Sequence, residues 1–251
     1  MELRQLRYFV KVCEAGSMGK AALDLGLATS ALSQQISRLE GELATRLLHA
    51  AQTARLSGHV SIGLASTTAS VLGVPLMQAM AERYPAVRVH LVEALSGHLT
   101  TMLNARQLDL AILFRDDAAR RWSVTPLLEE KLFVIGAPDL PGMPAGPRVR
   151  LKDLRALPLI LPSPSHGLRA LTDAAFARQR ITPRVQAEVD GLSLLMDAVR
   201  AGLGATIQPG AATARLPEGA VRSVLLADAL TGRRNLLASL SDDELSPAAL
   251  A

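Results

Sequence analysis

The 251-residue chain is poor in aromatic rings, in cysteine and in long apolar runs. Phe, Tyr and Trp make up 3% of it, so aliphatic side chains have to fill whatever core it builds. A single cysteine, Cys13, rules out an internal disulfide framework and a cysteine-rich zinc site. It falls on an apolar helical face and reads as a core residue. His49, His59 and His90 show no metal-ligand spacing. No stretch reaches the length of a membrane span, and "MELRQLRYFV" is charged from its second residue, without a signal-peptide pattern. These lacks predict a cytoplasmic protein that makes no membrane contact. There is no nucleophile elbow, P-loop, zinc motif or evident acid–base pair, so neither an enzyme activity nor a cofactor is expected.

What is present is aliphatic and slightly basic. Hydrophobic residues reach 49%, enough for buried cores in one to three domains. The 27 Lys and Arg against 23 Asp and Glu leave a net charge of +4, which suits an anionic partner.

The first fifty residues have helical periodicity. Leu3, Leu6, Phe9, Val10 and Cys13 share one face of a first helix. "EAGS" breaks it, with Ser17 a good N-cap for the short helix "MGKAALDL". Ala21 and Ala22 are small enough to admit a close neighbour. Gly26 makes a tight turn, Leu27 plugs back, and a third helix is predicted from about Thr29. Two helices joined by a short glycine-containing turn are a helix-turn-helix signature. On the third helix Leu32, Ile36, Leu39 and Leu43 form one stripe, while Ser30, Ser33, Gln34, Ser37 and Arg38 lie opposite. Short polar side chains let a helix enter a major groove. Gln pairs with adenine edges, and Arg with guanine or phosphate. Lys20, at the start of the second helix, is placed to meet a backbone phosphate.

"LRQLRYFVKVCEAGSMGKAALDLGLATSALSQQISRLEGELATRLL" resembles the DNA-binding domain of LysR-type transcriptional regulators, with features of the nitrogen-assimilation-control branch. The match lies in the L-x-x-F start, the S-x-x-x-A-A second helix, the S-A-L-S-Q-Q-I recognition helix and the L-E-x-E-L-x-x-R-L exit. The resemblance implies a double-stranded DNA operator, a small-molecule effector, and a homodimer or homotetramer. The chain departs from the family pattern in places. Ala28 and Thr29 stand where Ser and Gln are usual. Ala cannot cap a helix, which costs about 1 kcal/mol unless Thr29 substitutes. The family also continues into a two-stranded wing and a long linker helix that pairs subunits. Here only residues 49 to 55, "HAAQTAR", separate Leu48 from "LSGH". That span is too short for a hairpin and reads as more helix, so the wing and most of the linker helix are expected to be missing. The family's final helix is expected to be missing too, since the chain stops soon after "SDDELSPAALA".

From residue 58 the pattern alternates strand and helix twice. "HVSIGLA", "VRVHLVEA" and "LDLAILF" are strands around the helices "STTASVLGVPLMQAMAERYP" and "SGHLTTMLNARQ". "LPLILP", "RVQAEVD" and "LGATIQP" repeat the order around two further helices. The repeat predicts two α/β subdomains with parallel sheets. "EEKLFVIGAP" would carry the chain across, "GATIQPGAA" would carry it back, and "RNLLASLS" would add a late strand to the first subdomain. A two-lobed cleft of this kind is the periplasmic-binding-protein architecture of LysR effector domains. In each repeat a hydroxyl cluster follows the first strand and opens a helix: Ser66, Thr67 and Thr68, then Ser163, Ser165 and His166. Aimed at a shared cleft, such helix N-termini would hold a small anionic metabolite. Plain N-capping explains each cluster taken alone. Ser96, with Gly97 and His98, ends a strand and either lines the cleft or caps a helix. Phe114 and Arg115 end another, with Arg115 either a ligand counter-charge or part of a solvated loop.

The expected fold is thus an α-helical DNA-binding domain over residues 1–56, followed by a two-lobed α/β effector domain over 57–251. Lobe I would take 57–134 and 209–251, and lobe II 135–208. The expected function is ligand-responsive transcriptional regulation. The alternative is a truncated ligand-binding derivative without productive DNA binding.

Overall fold

The computed structural model describes residues 3–43, 47, 56–114, 122–164, 166–228, 232–241 and 245–250. By contacts the chain divides into two compact units, residues 1–58 with 79–88, and residues 59–78 with 89–251.

The first unit opens with α1 (Leu3–Ala15), α2 (Met18–Asp24) and α3 (Thr29–Leu43). Ser17, in extended backbone, caps α2 by accepting the Lys20 N–H at 3.3 Å. Gly26 sits at φ +65°, a left-handed turn that glycine adopts without a Cβ clash. Helix α3 begins at Thr29, and the Leu32 N–H bonds the Ala28 carbonyl. Ala28 therefore holds the capping position and Thr29 is already helical.

Val12, Ala21, Ala22 and Leu32 form the core of this unit, with Tyr8, Ala15, Met18, Leu25 and Leu27 packed around it. On α1 Gln5 and Val12 are buried and Tyr8 and Ala15 pack half-buried against the core, a face rotated from the one expected from sequence. Val10 is 51% exposed, and Leu6, Phe9 and Cys13 are half-buried. Hydrophobicity marks two candidate stripes on α1, and the methyl-sized surface of Ala21 and Ala22 selects the one that approaches. On α3, Leu32, Ile36 and Leu39 are buried as the periodicity predicts, while Leu43 is 42% exposed. The expected helical continuation through 49–55 lies outside the described residues.

The second unit is built on a mixed eight-stranded sheet, ordered β2-β1-β3-β10-β4-β9-β5 with β8 also paired to β4. Its strands are β1 (Gly58–Leu64), β2 (Val87–Glu93), β3 (Leu110–Leu113), β4 (Ser123–Gly136), β5 (Arg148–Val149), β8 (Thr206–Pro209), β9 (Arg222–Leu226) and β10 (Gly232–Ser239). A parallel pair, β6 (Leu159–Leu161) and β7 (Val185–Glu188), adjoins it through a bridge from Leu159 to Ala205. The helices are α4 (Ser66–Arg83), α5 (Ser96–Asn104), α6 (Gly167–Arg178), α7 (Leu192–Arg200) and the short α8 (Pro247–Leu250), which buries Ala248 and Ala249.

The sheets are not purely parallel. The long strand β4 pairs antiparallel with β10 along Ser123–Lys131, then with β8 and β9 along Leu132–Gly136. One strand therefore serves both lobes. The return crossing differs from the expected one. Residues 206–209 stay in lobe II as β8, and so does β9, which pairs with β4 and β5. The chain comes back only between Leu226 and Gly232. The reason is register: β9 extends the apolar alternation of β4, adding Val224 and Leu226 to the lobe II core. Lobe I packs Leu99, Leu103, Leu108, Ala111, Leu113 and Ala238. Lobe II packs both faces of its strands, with Leu132 and Val134 on one side and Ile135 on the other, the period-2 reading of β4.

Leu32 is fully buried at the centre of the three-helix core. Leu32→Ala should cost about 2–5 kcal/mol. In a urea titration this appears as early loss of helical signal, with the α/β unit's transition unmoved.

Candidate functional site

Two surfaces carry the residues singled out from sequence. The first is the outer face of α3. Thr29, Ser30, Ser33, Gln34, Ser37 and Arg38 are all exposed, as is Lys20 on α2. The buried stripe fixes this helix by three aliphatic side chains, so the opposite face is held at a set rotation. It combines hydroxyl donors, one amide and one guanidinium on a shallow surface.

The second is a small, partly open cleft in the α/β unit. Its apolar wall comes from Ala65, Pro162, Val189, Leu192 and Leu195. Its polar lining is Ser66, Thr67, His166, Asp190, Gln208 and Arg233. Ser66 opens α4, His166 caps α6, and Leu192 opens α7, so three helix N-termini meet there. Each presents free N–H groups and the positive end of its dipole.

Arg233 dominates the floor. It is 5% exposed, on β10, where that strand crosses beside β4. Its Nε and Nη2 both donate to Oε2 of Glu130, at 2.9 and 2.6 Å. Nη2 also donates to Thr67 Oγ1 at 2.9 Å, and the guanidinium lies 3.5 Å from the centroid of the Phe114 ring. Burial pushes the Arg233 pKa down, and the Glu130 carboxylate opposes this. Two further bonds tie α4 to lobe II. Ser70 Oγ donates to the Ala211 carbonyl at 2.9 Å, and Arg215 Nη2 to the Ala69 carbonyl at 3.3 Å.

His166 is held below its ordinary pKa of 6.5, first by burial, with Asp190 pulling the other way and Arg233 adding to the depression. Its Nδ1 accepts the Leu168 N–H at 3.2 Å, which places the proton of the neutral ring on Nε2. Asp190 is held below its ordinary range, chiefly by the Ser163 N–H that its Oδ1 accepts at 2.8 Å. It is a carboxylate.

The structure thus brings Ser66, Thr67 and His166 to the cleft, with Phe114 beneath Arg233 and Ser163 behind Asp190. Thr68 is buried, its hydroxyl has no hydrogen-bond partner among the described residues, and it does not line the cleft. Ser96 does not line it either; its Oγ faces the start of α6, 4.0 Å from where a Cβ on Gly167 would stand. Ser165 and Arg115 lie outside the described residues. Arg233, Glu130, Asp190 and Gln208 were not anticipated. Asp190 had a signal, because it occupies in the second repeat the strand end that Ser96 follows in the first. Arg233 and Asn235 alternate on a strand face, and both are buried. Among the described residues no group of three or more His, Cys, Asp or Glu side chains could hold a metal, and no helix is long and apolar enough to cross a membrane.

Residues 3–59 match the model of the bacterial regulatory helix-turn-helix proteins of the lysR family, and residues 53–251 match that of the LysR substrate binding domain. The chain belongs to the LysR family. It is a transcriptional regulator in which a DNA-binding helix-turn-helix is joined to a two-lobed ligand-binding domain. Curated relatives include the nitrogen assimilation regulatory protein nac of Klebsiella aerogenes, 34% identical over 258 aligned positions that cover 89% of this chain and 81% of the relative. The regulator BsdA of Bacillus subtilis is 26% identical, over 83% of this chain and 84% of its own. Among solved structures, a Corynebacterium glutamicum OxyR C206 mutant superposes with a TM-score of 0.64, 25% identity, 99% of this chain and 90% of that one. The Synechocystis CcmR regulatory domain in complex with 2-PG superposes at 0.70, with 18% identity, over 77% and 93%. The two LysR family models overlap over residues 53–59, so no residues separate them. The 258 positions aligned with nac take in 89% of the 251 residues, about 223, leaving about 35 positions where the relative has residues and this chain has none.

Two outcomes follow from the cleft. Glu130→Ala leaves the Arg233 charge buried and unpaired, and should cost about 3–5 kcal/mol by urea denaturation, whereas Glu130→Met with Arg233→Met should cost far less. Because His166 is depressed in the folded protein, the unfolded chain takes up its proton first. The stability due to the neutral ring is complete above pH 6.5 and is lost as pH falls from there through the folded-state pKa. His166→Asn, which keeps a capping oxygen, should flatten that part of the pH dependence in thermal melts from pH 8 to 5.

Proposed function

We propose that this regulator reads a double-stranded DNA operator with the exposed face of α3 and senses a small charged metabolite in the cleft. Ser30, Ser33, Gln34, Ser37 and Arg38 meet base edges and phosphates, Thr29 lies at the entering end, and Lys20 anchors a phosphate. Ser66, Thr67 and His166 contact the metabolite directly. Thr68, Ser96 and Ser163 shape the surrounding helix starts, and Phe114 backs the Arg233 guanidinium. The protein acts in the cytoplasm, as a homodimer or homotetramer, without a cofactor and without catalysing a reaction.

The observation that carries this reading is the buried guanidinium of Arg233 at the junction of the two lobes. It touches Thr67 at the start of α4 and Glu130 on the strand the lobes share. A ligand group that meets Arg233 acts on the strand pair about which lobe closure turns. An effector moves the regulator only by its difference in affinity between open and closed lobes.

A second reading has one observation in its favour. The two LysR family segments overlap over residues 53–59, which supports the shortened linker expected from the sequence. Such a protein would bind its ligand without productive operator binding.

Gel shifts on a promoter fragment from the protein's own locus test both. Gln34→Ala and Arg38→Ala should each weaken binding about 10- to 100-fold, at about 1–3 kcal/mol per base contact, with unchanged melting. Parental affinity in both variants refutes the assigned face. A wild-type monomer by light scattering with no operator affinity supports the second reading.

A further inference from the structure

The cleft's converging helix ends suggest an anion site, yet its side chains do not sum to a positive charge. Arg233 is already met by Glu130, whose Oε2 takes two of its N–H groups. Its Nη1 donates to no described residue. Asp190 brings an unneutralised carboxylate to the lining, exposed and ionised. It accepts the Ser163 N–H and is paired with no cation among the described residues. His166, which feels both Asp190 and Arg233, is neutral. Over Arg233, Glu130, Asp190 and His166 the formal charge is therefore −1. A purely anionic ligand would gain at Arg233 and the helix ends, but it would face the Asp190 carboxylate while the Arg233 charge is already offset by Glu130. Like charges in a partly desolvated site repel, and an unpaired carboxylate discriminates against such a ligand.

We infer that the cleft takes a zwitterion of the α-amino-acid class. Its carboxylate meets the start of α4 and the free Nη1 of Arg233, and its ammonium meets Asp190. This rests on the cleft being the effector site, as proposed above. Asp190 is then a specificity determinant: it demands a protonated amine, and a ligand with a hydroxyl in that place leaves the carboxylate unpaired.

The test uses the full-length protein, thermal shift and calorimetry, and a panel of the common L-α-amino acids, each beside its 2-hydroxy acid, with succinate as a simple dicarboxylate. Asp190→Asn keeps an amide oxygen to accept the Ser163 N–H, so it removes the charge and leaves the turn. At least one amino acid should raise the melting temperature and bind saturably, with its 2-hydroxy acid at least about tenfold weaker. Asp190→Asn should remove that preference, weakening the amino acid about tenfold or more and leaving the hydroxy acid unchanged or tighter. Three results overturn the inference: a hydroxy acid or succinate that binds as well as any amino acid, an amino acid bound equally by Asp190→Asn, or a panel in which no amino acid binds. Ser66→Phe, which fills the cleft, separates this failure from that of the site itself. A non-zwitterionic ligand lost in Ser66→Phe leaves the cleft as the effector site, whereas any ligand that binds Ser66→Phe unchanged removes that reading too.

Discussion

The α/β unit depends on one shared strand. β4 begins in the lobe I sheet beside β10 and ends in the lobe II sheet between β8 and β9. Because both lobes hydrogen-bond to the same backbone, any change in their angle must be taken up where the pairing passes from β10 to β8 and β9, near Lys131 and Leu132. The Arg233–Glu130 pair sits at that passage. Farther back in the lobe I ladder the register shifts between Asn235 and Leu236, opposite Leu128 and Pro126, a break in the regular pairing that lets the strand bend.

A buried ion pair is a weak source of stability, because desolvating two charges costs about as much as their attraction returns. Its worth here lies in position. Thr67, Glu130 and the face of Phe114 all converge on one guanidinium, so the start of α4, the crossing strand and the end of β3 are held in one arrangement. Replacing Arg by an apolar residue would keep the core and lose the geometric link between the helix end and the crossing strand.

The helix-turn-helix unit obeys a different constraint. It has few large core residues, and Ala21 and Ala22 let the helices approach closely around Leu32 and Val12. Close approach fixes the rotation of α3, so the stripe of Leu32, Ile36 and Leu39 faces inward and the hydroxyl and amide side chains face out. Preorganising that outer face lowers the ordering cost that a groove contact would otherwise incur.

The periodicity of the chain by itself determined most elements and their order: the three short helices, the buried stripe of α3, and the doubled strand–helix alternation of the sensor. It also placed Ser66, Thr67 and His166 at helix starts, because capping is local chemistry between near neighbours. The buried face of α1 was decided by packing, since the helix offers two apolar stripes and only contact with Ala21 and Ala22 chooses between them. The return crossing and the assignment of β9 to lobe II were set by strand pairing between segments some ninety residues apart, which no local pattern encodes. Arg233 and Asp190 reach one cleft only because β4 and β10 cross there and the strand ends of both repeats open on the same side. Local sequence sets which backbone groups are capped and which faces are apolar. The charge a ligand meets depends on long-range register, and only the tertiary structure decides it.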